Sequence, residues 1–155
     1  MKPVLYLPAW WEKVNRIMII VAGIGLALSL VVHVATFFLH STAPIKTMWL
    51  GLLWAQLLVW IAFFLVWASD TKHSSAWEFW GNIFSGIPSW MRYGLYALFA
   101  YAAFSIIVYN VHVLHHRADA DHSSISYLRR FSSLWMLGYG VTLATFFAAD
   151  RTRKS

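Results

Sequence analysis

The sequence predicts an all-α integral membrane protein: a four-transmembrane-helix up-and-down bundle with a short amphipathic interfacial helix between spans 2 and 3. Three observations predict it. Of the 155 residues, 60% are hydrophobic and only 12% charged, with a mean hydropathy of +0.60, whereas soluble domains carry about 25% charged residues. Four apolar stretches, residues 17–39, 45–68, 91–113 and 131–149, reach or approach the roughly 20 residues that a helix needs to cross hydrocarbon. Short hairpins between adjacent spans favour antiparallel neighbours and a single domain over residues 1–155.

The first span follows Trp10 and Trp11, which are expected at head-group depth behind a helix start at Pro8. Its apolar run is longer than a signal peptide's, and "HSTAPIK" after it lacks a good small-x-small cleavage site, so it reads as a retained anchor. Along it Gly25, Ser29, His33, Thr36 and His40 step by three or four and share one stripe. Such stripes of small and polar residues mark a buried seam, because lipid-facing positions favour apolar side chains. The second span offers Trp49, Leu53, Gln56, Trp60, Phe63 and Trp67 at heptad-like spacing, with Gln56 near mid-membrane as an interhelical hydrogen-bonding group.

Between spans 2 and 3, Ser75 and Glu78 fit a capping box for a helix over about residues 75–86. Trp77, Trp80, Phe84 and Ile87 are expected on its apolar side and Glu78, Asn82 and Ser85 on the other, with Gly86 and Pro88 ending it. On the third span Gly94, Tyr101, Ser105, His112 and His116 form a second stripe, expected to meet that of the first span. The fourth span is the shortest; Ser132, Trp135, Met136 and Tyr139 share a broad face, and Gly138 and Gly140 permit close approach of a neighbour.

Eight of the twelve Lys and Arg residues fall on the side that holds both termini and the second connection. The positive-inside rule therefore puts both termini in the cytoplasm and "HVLHHRADADH", residues 112–122, on the outer face. The net charge of +6 is spread along span flanks, which points to anionic lipid head groups and away from nucleic acid. With no cysteine, disulfides, thiolate metal sites, iron–sulfur clusters and covalently attached haem are excluded. No Asp, Glu, Lys or Arg lies mid-span, which disfavours a proton-coupled exporter.

The chemistry-bearing residues are histidines. His33 lies about 10 Å inside the outer end of its helix, where a buried imidazole needs a hydrogen bond, a water or a ligand. His112 and His116 are an i, i+4 pair, His115 sits one turn from His112, and Asp119, Asp121 and His122 follow. With His40 these supply the nitrogen and oxygen donors of a zinc, copper or iron site; the structural alternative is a solvated polar cap. "HVLHH" resembles one histidine box of the membrane di-iron desaturases. That family uses three boxes on the cytoplasmic side and this chain has one, placed outside, so desaturase chemistry is excluded. The layout also resembles four-helix b-type membrane cytochromes, and that resemblance implies a single shallow haem b between His33 and His112, or between His40 and His116.

Two functional classes follow. The first is a small inner-membrane protein without catalysis, an accessory, assembly or structural subunit of a larger membrane complex or homo-oligomer. The second is a haem- or metal-binding membrane protein with its site at the outer face.

Overall fold

The computed structural model describes residues 11–38, 46–70, 75–115 and 124–154. They form five helices and no strand: α1 (Trp11–Ala35), α2 (Lys46–Asp70), α3 (Ala76–Gly86), α4 (Ser89–His115) and α5 (Ser124–Lys154). All but α3 are long and apolar enough to cross a membrane, and the chain is a multi-pass membrane protein on that ground.

The organising element is α5. It packs against each of the other four helices, and 67% of its apolar window is buried, against 17% of that of α4. The span expected to be the shortest is in fact the longest helix, at 31 residues. Its polar content misled the hydropathy reading for a physical reason. A helix surrounded by protein can carry hydroxyls that a lipid-facing helix cannot, provided they are hydrogen-bonded. Buried Ser132, Ser133, Thr142 and Thr145 each return their hydroxyl to a carbonyl three or four residues back, on Arg129, Arg130, Gly138 and Val141.

Contacts between α1 and α5 run in opposite chain directions. Asn15 Nδ2 donates to Phe146 O at 3.0 Å, Gly25 faces Tyr139, His33 meets Ser132 and Thr36 meets Arg129. The two helices are therefore antiparallel along their whole contact. The α1 stripe of Gly25, Ser29, His33 and Thr36 is buried, but it meets α5 and not chiefly the α4 stripe. Trp11, expected among head groups, is buried against Phe146.

Two other faces are turned relative to the sequence reading. On α2 the buried positions include Leu52, Gln56, Val59, Phe63 and Val66, a heptad-like run, while Trp60 and Trp67 are exposed. On α3 Phe79, Ile83 and the following Ile87 are buried, whereas Trp77 is 87% exposed and Trp80 and Phe84 lie at the margin. The cause is packing inside the chain: Phe79 and Trp80 meet Phe63 of α2, and Gly86 abuts Ala148 of α5. The α3 start follows the sequence, since Ser75 Oγ accepts from Glu78 N and Glu78 Oε2 accepts from Ser75 N at 2.7 Å. Ser75→Ala is expected to cost about 1 kcal/mol, read as a lower thermal midpoint in detergent; an unchanged midpoint would show that packing alone holds α3.

Candidate functional site: the His33 cluster

The polar cluster sits where the end of α1 meets the start of α5 and the middle of α4. His33 is buried on α1. Its Nδ1 lies 2.7 Å from Ser132 Oγ, and its Nε2 is in hydrogen-bond contact with the Tyr101 hydroxyl of α4. The chain of donors fixes the tautomer. Ser132 gives its proton to Arg129 O at 2.9 Å, so its oxygen accepts from His33 Nδ1–H. Nε2 is then the acceptor, and Tyr101 O–H is its donor. Tyr101 and Phe37 both stand edge-on to the imidazole, at ring-centroid distances of 5.3 and 5.4 Å.

Arg129 closes the cluster. Its Nη2 donates to Thr36 O at 2.8 Å and its Nε to Thr36 Oγ1 at 3.3 Å, while Thr36 Oγ1 donates to His33 O at 2.6 Å. The guanidinium also lies 4.2 Å from the centre of the Phe37 ring. A cation here meets the free carbonyls and partial negative charge at the end of α1, and stacks on an aromatic face. Arg129 is thus a helix cap supplied from a neighbouring helix. Arg129 lies one turn before Ser132, and that i, i+3 spacing was the signal available.

The predicted site residues are placed unevenly. His33 is at the centre of the cluster. His112 and His115 belong to the last turn of α4, and their side chains lie outside the described residues, as do His40, His116, Asp119, Asp121 and His122. Among the described residues no group of three or more His, Asp or Glu side chains is gathered at metal-holding distance. Tyr101 is level with His33, and His112 follows it by eleven residues, about 16 Å further along the α4 axis. His33 and the backbone of His112 therefore do not share a depth.

A second buried polar group is Gln56, whose amide packs against Gly138 of α5. Among the described residues neither its Oε1 nor its Nε2 has a hydrogen-bond partner, so the interhelical hydrogen bond expected of it is not formed there. Desolvating an unpaired amide is costly. Gln56→Leu is therefore expected to be neutral or to raise the thermal midpoint in detergent; a fall of several degrees would show that the amide has a partner in the membrane. Asn15, unremarked in the sequence, is another polar side chain buried between helices, with Nδ2 bonded to α5 and Oδ1 without a partner among the described residues.

No family model matches the chain, and comparison with curated proteins and with solved structures gives no significant match.

Proposed function

We propose that this is a small multi-pass inner-membrane protein that works without catalysis, as an accessory or assembly subunit of a larger membrane complex. Both termini face the cytoplasm, the spans follow an up-and-down order, and α3 lies along the cytoplasmic interface. The antiparallel register of α1 and α5 supports that order, and the excess of Lys and Arg on one side supports that orientation.

One observation carries the reading: the far side of α4 presents a helix-packing seam that no other helix covers among the described residues. Ala100, Ala103 and Ile107 recur at a three- and then a four-residue step and are all exposed. Small residues at such spacing admit the close approach of another helix, whereas a lipid face has no need of them. The imidazole of His33 meanwhile has both nitrogens engaged within the chain, which favours a holding role over ligation. Haem ligation through His33 would require Tyr101 to release Nε2 and His112 to close an axial offset of about 16 Å.

The test is native electrophoresis of gently solubilised membranes, with Ala103→Trp on the seam and Leu58→Trp on the exposed face of α2 as control. Comigration with other subunits, lost in Ala103→Trp and kept in Leu58→Trp, is expected. A lone monomer, or a Soret band that His33→Ala abolishes, would overturn the reading.

A further inference from the structure

Between α1 and α4, over α5, lies an apolar groove of about 630 Å³. Its walls are cut low by small residues: Gly23 and Ala27 on α1, Gly94 and Ala97 on α4, with Gly140 in the floor. A Cβ added at Gly23 or Gly94 would meet nothing within 4 Å, whereas one at Gly25 or Gly140 would collide with a neighbouring helix. Packing inside this chain thus accounts for Gly25 and Gly140 and leaves Gly23 and Gly94 bordering open space.

Length and closure define the occupant. The α4 wall runs from Trp90 to Tyr101, eleven residues or about 16 Å, which is one leaflet's share of a hydrocarbon core about 30 Å thick. At the top the groove is barred by the hydrogen bond between Tyr101 of α4 and His33 of α1. A partner helix crossing the whole membrane would run into that bar; a chain belonging to one leaflet ends beneath it.

Charge at the open end defines the head group. Counting back from Gly23 by seven residues, Arg16 lies on the same face of α1, about 10 Å below the groove wall, and Glu12 one turn further, about 16 Å below. The two are exposed and paired at 3.3 Å. Moving outward along this face of the helix, the order is groove, then cation, then anion. A phospholipid with an ethanolamine head reads chain, then phosphate, then ammonium, and so matches that order group for group.

We propose that this groove holds one acyl chain of a zwitterionic aminophospholipid from the leaflet in which α1 and α4 begin, with its phosphate at Arg16 and its ammonium at Glu12. The site is independent of the partner seam, which lies on the other side of α4.

Native mass spectrometry of the full chain in detergent, titrated with dioleoyl phosphatidylethanolamine or dioleoyl phosphatidylglycerol, tests it. One phosphatidylethanolamine is expected to be retained, about tenfold tighter than phosphatidylglycerol. Gly94→Leu adds bulk to the groove from a position where a Cβ meets nothing within 4 Å and is expected to weaken retention of both lipids by about tenfold, with the thermal midpoint in lipid-free detergent unchanged. Arg16→Gln is expected to weaken both lipids, and Glu12→Gln to remove the preference between them. Retention that survives Gly94→Leu, equal retention of the two lipids by the unaltered chain, or an isoprenoid quinone or second copy in place of phospholipid would overturn the proposal.

Discussion

Gly25→Leu is expected to abolish the folded state, and Gly25→Ala to cost about 2–3 kcal/mol, the upper part of the range for overpacking a close-fitted core. The Tyr139 ring lies against the Gly25 backbone; an added Cβ would sit 2.6 Å from its Cδ1 and closer still to two further ring atoms. Tyr139 cannot swing aside cheaply. It is fully buried, and its hydroxyl donates to Leu52 O of α2 at 2.8 Å. One ring therefore ties α5 to α1 and α2, and displacing it loses a buried hydrogen bond as well as packing. Gly23→Ala, two residues away on the same helix, is expected to change little, because its Cβ points into open space. The measurement is the thermal midpoint of each variant in detergent, together with Gly25→Ala/Tyr139→Leu, where removal of the ring should recover part of the loss. Equal midpoints for Gly23→Ala and Gly25→Ala would refute this account of α1 against α5.

His33→Leu is expected to cost about 2–4 kcal/mol, from two lost hydrogen bonds and a Tyr101 hydroxyl left without its acceptor. Tyr101→Phe, which deletes only the donor to Nε2, is expected to cost about 1 kcal/mol. The pair should be strongly non-additive in a double-mutant cycle, since both substitutions remove the same bond. A stability loss alone does not prove the hydrogen-bond order, so the tautomer supplies the sharper check. Nitrogen chemical shifts of labelled His33 should report a neutral ring protonated on Nδ1, with Nε2 as the acceptor. A proton found on Nε2 would reverse the order from Tyr101 to Ser132. A ring nitrogen bound to iron or another metal would replace it altogether.

Within the candidate site, what was legible in the sequence was the presence of polar groups and not their pairing. His33 stood out because an imidazole in an apolar run must be satisfied, and Gly25, Ser29 and Thr36 stood out by their spacing. Nothing local to the chain says that the partner of His33 is a serine 99 residues away, or that Arg129 caps a helix 93 residues before it. Those pairings depend on which helices are neighbours, and four apolar helices of similar length admit several arrangements. The same ambiguity explains the misjudged faces. Trp77 and Phe79 are both apolar, and only the position of α3 against Phe63 and Ala148 decides that Phe79 is buried.

The sequence by itself determined the solvent of this protein, the number of its spans and the capped start of α3. These follow from apolar run length and from side-chain-to-backbone bonds within a few residues, which are local quantities. Only the tertiary structure decided that the least apolar span is the hub, that the α1 stripe faces α5, and that Tyr101, His33, Ser132 and Arg129 form one connected cluster. Burial by protein and burial by lipid look alike in a hydropathy pattern. They differ in the hydroxyls, glycines and hydrogen-bond partners that packed helices accept and lipid does not, and those are settled only when the helices meet.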